Sequence, residues 1–404
     1  MKPDMQNRRT FLKQQLKRLA ALGLLPPLMP LTACGGNSSN SSDSTNVQTN
    51  SVIVVGAGAA GMTAALHLQS KGIECTILEA SSKVGGRMRI DQNFADFPIP
   101  LGAEWLHVGE SVLEEASGKT LADLGIETQG YRSSDTYGWW DGNTLTQEAI
   151  SSTEVTDRKF KNSSWQQFFE QHLLPSIEDK IRFNTQVTAI DYQGSSVNVS
   201  TADGGHYTAD RVIMTLPLRA LKDEVVRFNP ALPNNKQDAI AESRIWQGFK
   251  AFMKFPDAFY PTFLELAEYE SQDGEFLFYD VAYGHDGSDH VLGCFCIGEP
   301  ASDFIGLNEA QLKDALLNKL DDIFDGKPSR EIQDFIHMNW SKESPYLGTY
   351  IYDNENYRRV QTLSASLDDR IFFAGEAYTN GDDWGGVHDA IRSALRVVSR
   401  FAPA

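Results

Sequence analysis

Cysteine is scarce in this chain, four among 404 residues, which is too few for a disulfide scaffold. Cys34 stands near the start, Cys75 sits in an apolar stretch, and Cys294 and Cys296 lie two apart in VLGCFCIG. Side chains two apart on a strand share a face, so this last pair is expected to pack in a core, and no metal site is expected. Long apolar runs are missing as well. Leu19 to Leu31 is interrupted by Pro26, Pro27 and Pro30, whereas a spanning helix needs about 20 apolar residues. Positive charge is in deficit: 36 Lys and Arg face 54 Asp and Glu. The first 34 residues hold six of those bases and one acid, so the remainder stands at −23. A surface of that sign repels nucleic acid, which is excluded as a partner, and attracts small cations. No internal repeat is evident.

What is present is enough hydrophobic residue, 41%, to build the core of a two-domain protein. One stretch carries a specific signal: SVIVVGAGAAGMTAALHLQSKGIECTILEA, residues 51–80. A short apolar strand stops at Gly56-Ala57-Gly58-Ala59-Ala60-Gly61, which leads into a helical pattern, and a second apolar strand ends at Glu79, 23 positions after Gly56. Strand, glycine loop, helix, strand and acid together make the dinucleotide-binding fingerprint. Each part has a physical task. Gly56 permits the tight turn, Gly58 lets a pyrophosphate approach the backbone, and Gly61 lets helix and strand pack closely. The helix N-terminus offers free N–H groups to the phosphates, and Glu79 accepts from a ribose hydroxyl.

Lys83-Val84-Gly85-Gly86-Arg87-Met88 follows at once. Together with the fingerprint it resembles the signature of FAD enzymes with the glutathione-reductase-like nucleotide fold, and the chain resembles the flavin-dependent amine oxidase family of monoamine and polyamine oxidases. LGAEWLHVG (101–109), the run ending in TLPL (181–221) and FFAGEAYTNGDDWGGVHDAIRSALRVV (372–398) resemble further family segments that approach the flavin. The resemblance implies an α/β fold: a Rossmann-like FAD-binding domain from 51–110, 181–225 and 341–404, with an inserted α+β substrate domain from 111–180 and 226–340. Non-covalent FAD is implied, because the position where monoamine oxidases carry a flavin-bonding cysteine is Thr349. Implied cofactor contacts are Gly56, Gly58, Ala60, Gly61, Glu79, Gly86 and Arg87 from the fingerprint region. Ala103, Glu104, Trp105, Val187, Trp340, Tyr346, Gly375, Glu376, Gly386 and Val387 are implied from the later segments.

For catalysis, QGFKAFMKF matches the family strand whose lysine approaches flavin N5 through a water. That position is Lys250, with Lys254 sharing its strand parity. Tyr350 matches one wall of the monoamine oxidases' two-tyrosine cage, while the other wall falls on Gly386. Trp384 lies close in sequence and can stack against a cation. The incomplete cage leaves room for polyamines, with dioxygen as the acceptor. His107, His388 and Asp389 flank the same segments. Two rivals are an amino acid oxidase or desaturase, for which Arg132 or Arg244 would clamp a carboxylate, and a catalytically slow flavoprotein that binds a surface partner.

The beginning of the chain fits this reading. Arg8-Arg9-Thr10-Phe11-Leu12-Lys13 resembles a bacterial twin-arginine export signal, and Leu31-Thr32-Ala33-Cys34 resembles a lipobox. Residues 1–34 are therefore expected to be a signal peptide, 35–50 a Gly/Ser/Asn/Thr linker, and lipidated Cys34 the only membrane attachment of a periplasmic protein. Twin-arginine export carries folded proteins, which suits an enzyme that must acquire FAD while its chain folds.

Overall fold

The structure, a computed structural model, describes residues 47–150, 157–344, 346–352, 357–381 and 385–403. The signal, Cys34, most of the linker and Trp384 lie outside these residues.

The apolar runs read as buried strands form a five-stranded sheet in the order Ile181–Arg182, Glu74–Leu78, Ser51–Val55, Arg211–Met214, Ile371–Phe373. All neighbours are parallel. Alternation along them explains why the runs are continuously apolar: Val52 and Val54 face one buried layer and Ile53 and Val55 the other. The first layer is covered by the helices Ala59–Ser70 and Val387–Ser399. On the second layer lies a smaller sheet in the order His206–Ala209, Val197–Thr201, Val187–Asp191, Arg227–Asn229. The Ser51–Val55 strand sits where chain order reverses across the sheet, so the crevice at its carboxyl end is where such folds hold a ligand.

A second sheet of seven strands runs Asp334–Asn339, Gly248–Phe255, His290–Gly298, Gly274–Asp280, Phe263–Leu266, Thr136–Trp140, Leu145–Ala149. Its period-two pattern divides the Gly248–Phe255 strand. Phe249, Ala251, Met253 and Phe255 pack with Leu312, Leu316 and Leu320 of the helix Glu309–Ile323, while Lys250 and Phe252 face the other way. Cys294 and Cys296 are fully buried in the helix-covered layer as free thiols, and burial raises both well above the ordinary thiol range. The architecture is α/β, a Rossmann-like nucleotide layer joined to an α+β layer.

Two expectations are corrected. Residues 47–50 belong to the folded body rather than to the linker: Val47–Gln48 pairs in parallel with Phe401–Ala402, and the Thr49 N–H donates to Ala402 O at 2.9 Å. Among the described residues of the piece 111–180, only Thr136–Trp140 and Leu145–Ala149 join the seven-stranded sheet. Val112, Leu113 and Ala116, and likewise Trp165, Phe168, Phe169 and Ile177, fill the same core as Val52, Val54 and Met62. These short helices bury their apolar faces on the nucleotide layer, not on the substrate layer.

Candidate active site

One cavity of about 390 Å³ runs from the glycine loop to the inner face of the seven-stranded sheet, within the usual range for cofactor and substrate sites. At the glycine end, Gly56 has φ +109°, and a Cβ there would lie 2.8 Å from Thr215 Oγ1. A Cβ on Gly61 would lie 1.9 Å from Gly56 O, so helix and strand approach as only glycine allows. A Cβ on Gly58, by contrast, meets no atom within 4 Å: its open side is the cavity. The Ala59–Ser70 helix begins there with no acid in its first turn, so its N–H groups and positive dipole end are available to an anion. These features fit a dinucleotide. Gly58, Ala60, Glu79, Gly86, Arg87 and Val187 line this end, while Gly61 acts from behind it. Glu79 Oε2 accepts from the Ala57 N–H at 2.6 Å, and Oε1 from the Ser81 N–H at 2.8 Å. Its carboxylate thereby braces the loop at the place where a ribose would sit.

Further along, Arg87 ties together distant pieces. It donates to Thr349 O and, through Nη2, to Glu376 Oε1 at 3.1 Å. The other oxygen of Glu376 accepts from the Ile351 N–H at 3.3 Å. Trp340 Nε1 donates to Leu101 O at 2.8 Å, and its ring meets Tyr346 edge-on at 5.5 Å. Gly375, Gly386, Val387, Ala103 and Trp105 also line the cavity. Gly386 is the N-cap of the Val387–Ser399 helix, its N–H donating to Asp389 Oδ2 at 2.9 Å.

At the far end the chemistry concentrates on Lys250. It is 5% exposed and sits on the second strand of the sheet, flanked by Met338 and Phe295, so it is no edge-strand lysine. Lys254 does not line the cavity and pairs instead with Asp289 at 2.7 Å. Lys250 Nζ donates to Pro100 O at 3.0 Å, Gly102 O at 3.0 Å and Glu104 Oε2 at 2.7 Å. An ammonium has three donors, and all three have protein acceptors. These three bonds fix the ammonium in the cavity wall.

Glu104, expected only as a cofactor contact, is the hub of this wall. Its Oε1 meets Lys159 Nζ at 2.7 Å, and its Oε2 also accepts from the Tyr279 hydroxyl at 2.7 Å. Burial alone would raise its carboxyl, but the two ammoniums outweigh this and bring it down to about 2. Burial lowers Lys250, with Glu104 pulling the other way.

Tyr350 lines the cavity and contacts the Trp246 ring edge-on at 5.6 Å. His107 Nδ1 is 3.0 Å from Asp157 Oδ2, and both groups line the cavity, whereas His388 stays behind it beside Asp389. Neither Arg132 nor Arg244 lines the cavity; Arg132 pairs with Asp135 and lies over the Tyr283 ring. Sequence reading missed Asp157, Lys159, Glu265, Glu275 and Tyr131. Only Asp157 and Lys159 carried a weak signal, polar residues two apart before an aromatic.

A family model for flavin containing amine oxidoreductases matches residues 59–177 and 167–401. The chain belongs to that family: it is an FAD-dependent oxidoreductase acting on amines. It is 26% identical to polyamine oxidase 4 of Oryza sativa subsp. japonica over 85% of this chain and 87% of that protein. It is 24% identical to lysine-specific histone demethylase 1B of Mus musculus, over 87% of this chain but 53% of that protein. Among solved structures, putrescine oxidase bound to putrescine superposes with a TM-score of 0.72 at 15% identity, covering 87% of this chain and 98% of that one.

Proposed function

We propose that the protein oxidises a diamine or polyamine. The observation that carries this reading is a pair of carboxylates in the cavity. Glu265 lies opposite Leu277 on the adjacent strand, so Glu275, two residues before Leu277, is its diagonal neighbour on the same face. Both line the cavity that Lys250 and Tyr350 line. A second cationic nitrogen, at the far end of a chain whose first nitrogen reacts, is the substrate feature such a pair attracts.

A flavin held by the glycine loop, Arg87 and Glu376 would supply the two-electron chemistry that converts an amine to an imine, which water hydrolyses, with dioxygen as the electron acceptor and hydrogen peroxide as its product. The protein's residues do the rest. Hydride leaves a neutral amine more readily than an ammonium, and the candidate acceptor of that proton is the His107–Asp157 pair in the cavity lining. Tyr350 and the aromatic group of Trp105, Tyr131 and Phe263 hold the carbon chain and exclude water. Because neither candidate arginine reaches the cavity, an amino acid's carboxylate lacks its clamp, and the amine reading is preferred.

Anaerobic titration of the yellow protein with putrescine, spermidine, tyramine and amino acids is the direct test. Bleaching of the flavin band by the first two at concentrations at least about tenfold lower than tyramine is expected. Bleaching by amino acids alone would overturn the reading.

We further propose that the enzyme works in the bacterial periplasm, exported folded and tethered by lipid at Cys34. The Arg8-Arg9 run and the Leu31–Cys34 lipobox support this. Cys34→Ser is expected to move the protein from the membrane fraction to the soluble one. Retention of the variant in the membrane would count against the tether.

A further inference from the structure

Behind the cavity wall lies one more charge than Lys250 and its partner require. Lys159 is 1% exposed, and its Nζ donates to Val281 O at 2.7 Å and meets Glu104 Oε1 at 2.7 Å. It does not line the cavity. It sits on a two-residue strand, Lys159–Phe160, paired with Thr128–Gln129. Asp157, two positions earlier, reaches His107 in the cavity, so one short segment delivers an acid to one side of the site and a base behind the other.

Glu104 thus serves two lysines with one oxygen each, and a single negative charge faces two positive ones. Removing an ammonium from water is costly, and a buried one is retained where its donors and charge are matched. Among the described residues, Glu104 is the one carboxylate within ion-pair distance of either ammonium. The rings of Trp105, Tyr279 and Tyr283, 5.3, 5.8 and 5.9 Å from Lys159 Nζ, supply the rest of its environment. Of the other titratable groups nearby, His285 is pushed down to about 4 by burial and Lys159, so it is neutral at pH 7 and adds no positive charge. Asp280 is pushed up by burial and drawn back by Lys159, and its Oδ1 accepts from the Ala282 N–H at 3.1 Å.

We propose that Lys159 is a positioning residue for Lys250, acting through Glu104. By claiming one carboxylate oxygen it turns the other toward Lys250 and prevents Glu104 from neutralising either ammonium, so the trio keeps an excess positive charge at the cofactor cavity. Such a charge favours the reduced, more negative state of the bound flavin and the transfer of electrons to dioxygen. The inference rests on the flavin reading of the cavity, but it does not depend on which amine is oxidised.

The test is the reduction potential of the bound flavin, measured against reference dyes with dithionite and no amine present. In Lys159→Met the trio becomes a neutral pair. At a fixed dye couple the ratio of reduced to oxidised flavin is expected to fall about tenfold relative to wild type, and reoxidation by dioxygen to slow by a similar factor. Lys159→Arg, which keeps the charge, is expected to restore both. Should the methionine variant not accumulate, Lys159→Gln removes the charge while keeping a donor toward Glu104, and the same fall is expected. A potential unchanged in a folded, flavin-loaded Lys159→Met or Lys159→Gln protein would overturn the proposal. Failure of amines to bleach the wild-type flavin would instead count against the substrate reading alone.

Discussion

Gly61→Ala is expected to yield a protein without bound flavin. The added Cβ would fall 1.9 Å from Gly56 O, far inside van der Waals contact, and the obstacle is backbone rather than a side chain that can swing aside. Gly56 cannot retreat: it turns at φ +109° with Thr215 Oγ1 behind it, and its N–H is held by Leu78 O at 2.9 Å. The Ala59–Ser70 helix must therefore move off the Ser51–Val55 strand, carrying away the N–H groups that face the phosphates. Overpacking of buried sites commonly costs about 1–3 kcal/mol, and this one also destroys the anion site. Gly58→Ala is the informative contrast. Its Cβ meets no protein atom within 4 Å, so the chain is expected to fold with unchanged thermal stability while the methyl enters the space a pyrophosphate needs. Flavin absorbance per polypeptide separates the two: none for Gly61→Ala, and for Gly58→Ala an FAD affinity weakened by more than about tenfold. Equal flavin content in Gly61→Ala and wild type would refute the placement of the cofactor at this loop.

That these glycines could be picked out beforehand follows from the local character of their task. A strand, a tight turn and a helix start lie within 30 consecutive residues, so the pattern that causes the geometry is contiguous. The same holds for the Gly386 helix start. Lys250 was legible as one of two lysines of equal parity, and only the surroundings of the strand separate them: Lys250 meets Glu104 from a different segment, Lys254 meets Asp289 at the protein's flank. The short helices of 111–124 and 165–177 show why the domain plan went astray. An amphipathic segment announces that it will bury one face, not which sheet will bury it. Lys159 illustrates the limit more sharply, since the carboxylate that explains it lies 55 positions earlier and no spacing connects them.

Lys250→Met is expected to separate the two halves of the catalytic cycle. The methionine fills the space of the lysine stem but leaves Pro100 O and Gly102 O without their donor, while Glu104 keeps Lys159 and the Tyr279 hydroxyl. Losing a buried partner typically costs about 3–5 kcal/mol when it strands a lone charge. Because Glu104 is not stranded here, the expected loss of stability is smaller, about 2 kcal/mol. The charge arithmetic is the larger effect. With Lys250 gone, Glu104 and Lys159 cancel, and no uncompensated cation remains to favour electron transfer to dioxygen. Reoxidation of amine-reduced flavin is expected to slow by about 100-fold, in the range found for removing one preorganised electrostatic group. Anaerobic bleaching by diamine should change much less, since Glu265, Glu275 and His107 are untouched. Stopped-flow measurement of the two half-reactions reads these separately, and an equal loss in both would show that Lys250 acts on substrate binding instead. The acid limb of stability supplies an independent check. Glu104 is depressed to about 2 from an ordinary value of 4.5, so it stabilises the fold above that ordinary value and loses the contribution as pH falls toward 2. The difference amounts to about 3 kcal/mol. Removing one of the two ammoniums that hold the carboxyl down raises its folded value, so Lys250→Met should unfold at a higher pH than wild type during acid titration.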